Sequence, residues 1–409
     1  MPEWKRILAV LFVAQLLSAI GFSMIFPFLP NYVDALGSAW GLNLVFLAGA
    51  VFSAQAITMM ASSPVWGAVA DRIGRKPMVL RALIGGGVLI LAMGFARSAE
   101  ELVLLRALQG VVTGVVSASN ALVASVAPRD RSGFALGTLQ TAMTAGVAAG
   151  PVLGGVMADL LGYRAAFVVT ASLMFVGAVL VQFGVRETFT PPENANDLRG
   201  VGRDWLHILR TPGVNRTFVA RFVAWLGRGV MVPILPLFVP LLLATSERTG
   251  TFTGLVIGVS AATSTVSALA LGALGDRIGH KRVLIGSAAL AAVCYLPMAF
   301  VDAGWQLLAL SAASGVAVGG IMPSLSALLN VVTEQTEVGS AFGLDNAVIA
   351  ASRAVAPLVG VGLAAAFGGG ETGYRAVFVM ASVLFVVTIF VAAGLRRPAP
   401  ARAAPVPGD

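Results

Sequence analysis

The sequence predicts an all-α membrane protein: twelve transmembrane helices in two six-helix halves, with both termini cytoplasmic. Three observations carry this. The 409 residues are 57% hydrophobic and 11% charged, against about 25% charged residues in an ordinary soluble domain. Apolar runs of about 20 residues recur along the chain, the length at which a helix crosses a ~30 Å hydrocarbon core. Finally, the decapeptide GAVADRIGRK at 67–76 returns 205 positions later as GALGDRIGHK at 272–281.

The candidate spans are 7–30, 43–66, 78–97, 102–126, 133–158, 164–185, 215–243, 252–275, 283–301, 305–332, 338–367 and 374–395. They lack the alternating ten-residue segments of a membrane β-barrel. Lys5 and Arg6 precede the first apolar run as in a secretory signal. That run is too long, however, and no small-residue cleavage site leads into a soluble domain, so it reads as the first membrane helix.

Net charge is +8 and the pI is near 10.5, values that could point to nucleic acid. The location of the charge argues otherwise. With the termini and even-numbered connections on one side, that side holds 19 of the 27 Lys and Arg residues; the other holds Arg97, Arg164, Arg248 and Arg375. Positive charge is retained on the cytoplasmic face, so the basic balance reports topology and no nucleic-acid partner is expected. A single cysteine, Cys294, excludes an internal disulfide and a multi-cysteine metal site. The only histidines are His207 and His280, and there is no HExxH, Walker-type or Ser-His-Asp arrangement. No enzyme, metal or cofactor is expected. The expected partners are the lipid bilayer and a small-molecule substrate, with a monomer as the working unit.

Further repeats define the halves. GYRAAFVVTASL from Gly162 recurs as GYRAVFVMASVL from Gly373, and GFALGTLQ from Gly133 as GSAFGLDN from Gly339. Gly110 and Gly114 match Gly315 and Gly319, and IFPFLP matches ILPLFVP. The halves are therefore 1–185 and 215–397, joined by a polar cytoplasmic linker over 186–214 and followed by a disordered tail over 398–409.

The decapeptide is similar to the signature loop of the major facilitator superfamily, G-x-x-x-D-R-x-G-R-[RK], and the resemblance covers all twelve spans. It implies two halves around a midplane site that opens alternately to either side. Gly67, Gly74 and Gly272 allow close helix approach, and Asp71 and Asp276 can favour the positive N-terminal end of a neighbouring helix. In the family that neighbour is span 11 for the first copy and span 5 for the second. Arg72, Arg75 and Lys76 can pair with Asp130, and Arg277 and Lys281 with Glu334 or Glu337, giving a cytoplasmic latch between halves. His280 departs from the pattern, where an arginine is expected.

GVAAGPVLGG in span 5 resembles the G-x-x-x-G-P-x-x-G-G motif of drug:proton antiporters. It sets Gly146, Gly150 and Gly154 four residues apart, with Gly155 beside them and Pro151 bending the helix. With FPFLPNYV, LRALQG and NALVAS, this places the chain near bacterial multidrug exporters of the inner membrane, driven by a proton gradient. Arg106, Gln109, Thr113, Ser117 and Asn120 follow at spacings of three or four, which puts them on one face of a continuous helix. A membrane-embedded arginine costs roughly 3 kcal/mol on insertion scales and should face water or a partner. In the family such an arginine is linked to proton coupling.

Span 1 offers Gln15, Ser18 and Ser23 but no acid. Asp345 is the one carboxylate deep in a span and is the proposed proton carrier, about 12 Å along its helix from Arg353. By the resemblance, spans 4, 7 and 11 line the cavity. Gln15, Phe22, Phe26, Gln109, Thr113, Asn120, Arg228 and Arg353 are then the expected substrate-binding residues, with Trp225 as added apolar area. More fixed positive than negative charge favours anionic or zwitterionic solutes. Drug efflux, organic-anion or phosphorylated-metabolite exchange, and lipid flipping are the competing functions.

Overall fold

The computed structural model describes residues 2–187, 213–243, 248–333 and 338–395, except for the side chains of 68, 71, 129 and 338–340. Most of the expected linker with His207, the Glu334 and Glu337 latch candidates, the tail and the Asp71 side chain lie outside the described residues.

The described chain is helical throughout. The first half contains α1 (Glu3–Met24), α2 (Leu29–Leu36), α3 (Leu44–Ile73), α4 (Arg75–Met93), α5 (Ala99–Val112), α6 (Val115–Val126) and α7 (Ser132–Gly184). The second contains α8 (Val214–Gly229), α9 (Ile234–Leu242), α10 (Thr249–Ile278), α11 (His280–Met298), α12 (Gly304–Val332), α13 (Val338–Ala366) and α14 (Gly370–Ala393). Eleven helical segments are long and apolar enough to cross a membrane. The chain is an integral membrane protein.

The structure departs from the expected helices at four places. Span 1 is interrupted between α1 and α2 around Pro27, and span 7 between α8 and α9 around Pro233; proline removes a backbone donor and clashes with the preceding turn. Span 4 breaks into α5 and α6 at Thr113 and Gly114, where Gly114 takes φ 142°. Spans 5 and 6 form one run of 53 residues, broken only at Gly162 (φ 80°, ψ 166°), a conformation that glycine adopts without strain.

Each half has its own hydrophobic core. The halves meet mainly along two helix pairs, α7 with α10 and α3 with α13, and more lightly between α2 and α9. The α7 motif explains how closely. A Cβ on Gly146 would lie 2.6 Å from the Ala19 Cβ, and one on Gly154 only 1.9 Å from the Met24 carbonyl oxygen, so one face of α7 lies directly on α1. The other face meets the second half: a Cβ on Gly155 would lie 2.0 Å from the Gly250 carbonyl oxygen, and one on Gly254 2.1 Å from that of Pro151. Small residues let backbones touch where apolar burial gives no driving force. These cross-half contacts stay near the end of the bundle that carries the Gly162 break and the start of α10. At the opposite end, beside the termini and decapeptides, a Cβ on Gly67, Gly133, Gly137 or Gly343 would meet nothing within 4 Å, and Phe134 is 66% exposed.

Candidate functional site

Arg106 sits about two turns into α5 and is fully buried. Its Nε donates to the Val51 carbonyl at 3.2 Å and its Nη1 to Gln109 Oε1 at 2.8 Å. The guanidinium lies 5.9 Å from the Phe22 ring centroid and 5.7 Å from that of Phe52. Phe22 and Phe26 stack edge to face at 5.4 Å, and Phe26 leans on Phe52 at 5.8 Å. Arg106 Nη2 and Gln109 Nε2 are buried with no partner among the described residues. A buried donor left unpaired costs free energy, and here two of them sit beside an aromatic wall.

The second half supplies the rest of the charge. Arg353 lies mid-way along α13 yet its side chain is exposed, and Arg228 near the end of α8 is half-buried, 5.7 Å from the Trp225 ring. Arg106 feels the charge of Arg353, and Arg353 that of Arg228. Among the described residues none of the three arginines forms an ion pair. The Trp225 indole Nε1 is likewise buried without a partner among them.

Asp345 does not join this group. Its Oδ1 accepts from Arg221 Nε at 2.9 Å, and both side chains are almost wholly buried. Arg221 is further held by the Ser326 hydroxyl at 2.9 Å and by the Met322 carbonyl at 3.4 Å. The sequence offered Asp345 as the deep carboxylate and proton carrier without finding its partner, which the structure shows to be Arg221. The carboxylate faces α8 and α12 inside its own half, because Arg221 sits opposite it on the neighbouring helix.

Two other expected site residues make contacts of their own. Gln15 is 1% exposed and donates to the Leu139 carbonyl at 3.1 Å, so it ties α1 to α7 rather than lining the cavity. The helix is broken at Gly114 (φ 142°), so the continuous face expected from Arg106 to Asn120 is interrupted there. Thr113 stands at the break and bonds back to the Gln109 carbonyl. The carbonyls freed there are taken up by side chains: Val111 O accepts from Trp66 Nε1 at 2.6 Å and Thr113 O from Arg81 Nη2 at 3.4 Å. Phe52, Trp66, Arg81 and Arg221 carry roles that the spacing along single helices did not reveal.

At the decapeptides, each lysine reaches the end of the last helix of its own half. Lys76 Nζ donates to the Gln182 carbonyl at 2.8 Å, and Lys281 Nζ to that of Ala393 at 2.7 Å. The amides of Arg75 and Lys76 donate to the Glu187 carboxylate, which caps α4. The expected pairing of this segment with Asp130 is not made: Asp130 contacts Arg131 at 3.4 Å, both exposed. Asp276 pairs with His280 at 3.1 Å within its own segment, and Arg72 and Arg277 are exposed.

A helical chain built from two such halves has counterparts among known proteins. The model of the Major Facilitator Superfamily matches residues 11–244 and 217–409. The chain belongs to the major facilitator superfamily. Within it, this chain is 35% identical over 397 residues to the multidrug resistance protein MdtG of Salmonella paratyphi A (strain ATCC 9150 / SARB42), covering 97% of this chain and 96% of that one. MdtG of Enterobacter lignolyticus (strain SCF1) gives the same identity over 97% and 93%. Among solved structures, a bacterial homologue of the human lysosomal transporter Spinster, inward-facing and unoccupied, matches with TM-score 0.81 at 14% identity over 96% of both chains. The human organic anion transporter MFSD10 (TETRAN) matches with TM-score 0.66 at 20% identity, over 96% of this chain and 100% of that one. These superfamily structures share the fold, and they are transporters rather than enzymes.

Proposed function

We propose that the chain is a secondary active exporter of amphipathic small molecules bearing a negative group, exchanged for protons across a bacterial cytoplasmic membrane. The observation that carries the cargo reading is the charge inside the spans: Arg106 beside Phe22 and Phe52, Arg228 beside Trp225, and Arg353, with Asp345 paired to Arg221 instead. Guanidinium groups orient carboxylate or phosphate-like oxygens, while the rings accept an apolar body of variable shape. The multidrug names of the relatives support the efflux direction. MFSD10, which shares the fold and is an organic anion transporter, supports anions as cargo and favours a second reading, exchange of one specific anion.

Counting the two limbs of the 53-residue helix on either side of Gly162 separately makes twelve crossings, with termini and decapeptides cytoplasmic. The open end of the bundle then faces the cytoplasm. The decapeptides would engage across the halves when that end closes. Asp345 is the carboxylate proposed to carry the proton, its charge exchanged against Arg221 as the cavity fills, with Arg106 responding from the other half.

The test uses proteoliposomes with an imposed pH gradient and three matched amphiphiles, anionic, neutral and cationic. The expected outcome is gradient-driven movement of the anion, reduced at least tenfold by Arg353→Gln. Preference for the cation, unaffected by Arg353→Gln, would overturn the cargo reading. Asp345→Asn should abolish the pH dependence while anion binding remains.

A further inference from the structure

Asp159, near the end of the first limb of α7, reaches across to the other half. Its Oδ1 accepts from the Gly250 amide at 3.0 Å, and its Oδ2 from the Thr251 amide and hydroxyl, both at 2.6 Å. These two amides are among the first of α10. They are donors that the helix cannot satisfy itself, at the end where its dipole favours an anion. The seat is built around the carboxylate: a Cβ on Gly250 would stand 2.7 Å from Asp159 Oδ1 and 3.0 Å from the Gly155 carbonyl oxygen. Only glycine at 155 and 250 brings the two backbones close enough for the side chain to reach.

The sister contact between α3 and α13 has no such group among the described residues. There α3 begins with its own cap, Asn43 Oδ1 accepting from the Phe46 amide at 3.1 Å. The halves touch through Gly49, whose Cβ would lie 3.0 Å from the Pro357 carbonyl oxygen. Apolar and backbone packing also join the halves at this end, but Asp159 is the carboxylate whose hydrogen bonds cross between them.

The structure assigns Asp159 the role of an extracytoplasmic latch, a positioning residue that holds the exporter inward-facing and must release the α10 N-terminus for the cavity to open outward. This rests on the transport reading and extends it. Rocking of one half against the other separates Asp159 from Gly250 and Thr251 while leaving contacts inside each half intact. The conformational equilibrium is set by what each state gains in such contacts.

The experiment measures distances between spin labels in a Cys294→Ser background. One pair is placed at Leu161 and Trp305, exposed on opposite halves at this end; a second is placed at Phe134 and Ile278 at the other end. Asp159→Asn should raise the ratio of outward-open to inward-open molecules about tenfold, since hydrogen bonds to a charged acceptor are among the stronger ones. Both label pairs should shift, in opposite senses, and Asp159→Glu should restore the parental ratio at least in part. Thr251→Val, which removes one donor and keeps both amides, should shift the ratio about threefold in the same direction and serves should Asp159→Asn not fold. Ratios within twofold of the parent in both variants would overturn the latch. Absence of gradient-driven transport in the parent would count against the exporter reading alone, because the distance ratios do not depend on it.

Discussion

The two halves place the same contact at the same point and fill it with different chemistry. In the first half Gln15 of α1 donates to the Leu139 carbonyl of α7; in the second, Arg221 of α8 meets Asp345 of α13. Both pairs are 124 residues apart. The reverse exchange occurs one helix pair away. Arg106 of α5 corresponds to Ser311 of α12, and the break at Gly114 to an unbroken helix at Gly319. What stays constant is the packing frame: Gly110 lies on Thr58 and the Gln55 carbonyl as Gly315 lies on Thr263 and the Ser260 carbonyl. Duplication fixed where helices touch, and each half then took a different charge. The first half gives its arginine to the cavity and bends beside it; the second neutralises one arginine internally and stays straight.

Several substitutions can break or sharpen this contrast. The largest effect is expected for Arg221→Ala, which leaves Asp345 as an unpaired buried charge at a cost of about 3–5 kcal/mol. Gln15→Ala at the equivalent point should cost about 1 kcal/mol. Thermal unfolding in detergent measures both. Giving the second half the chemistry of the first, Arg221→Gln with Asp345→Leu, should recover most of that stability and lose the pH-driven component of transport. No recovery would mean that the two sites are equivalent in position only.

Next in size is Arg106→Ser, which copies Ser311 into the first half. Initial export rates in vesicles should fall tenfold or more with the fold intact. Gly114→Ala should follow, since a side chain at φ 142° costs about 1–3 kcal/mol; a several-fold slower cycle with cargo binding kept is the expected pattern in a transport and binding assay. The smallest effect is expected for His280→Arg, which makes the second decapeptide resemble the first. The Asp276 side chain is 76% exposed, and surface pairs contribute at most about 1 kcal/mol, so transport should change less than twofold.

Much of this was readable from the chain, and the division between readable and hidden is physical. Repeats with preserved spacing, such as Gly146, Gly150 and Gly154, report helix packing, because one helix face is set by residues close in sequence. The arginines of the cavity were visible as charges inside apolar runs. Hidden were contacts between helices far apart in sequence. Asp345 was read as a proton carrier about 12 Å along its helix from Arg353, whereas Arg221 stands across from it on a neighbouring helix. Superposing the two halves would have pointed there, since Arg221 falls on Gln15 and both repeat partners precede a proline break. The Gly114 break was masked because the same glycine in α12 leaves that helix continuous, and only Trp66 and Arg81 on other helices satisfy the freed carbonyls. Asp159 was not singled out, because its partners Gly250 and Thr251 lie 91 and 92 residues away.

The three arginines without a carboxylate among them have an electrical consequence. Under the proposed exchange, a singly charged anion leaves as one proton enters, so each cycle carries two positive charges inward. Moving one elementary charge through 100 mV is worth about 2.3 kcal/mol, so such a cycle draws roughly 4.6 kcal/mol from a potential of that size, negative inside. That alone would sustain an outward concentration ratio of roughly three orders of magnitude with no pH difference. An exporter swapping a monovalent cation for one proton would gain nothing from the same voltage. Cavity charge thereby selects the power source as well as the cargo.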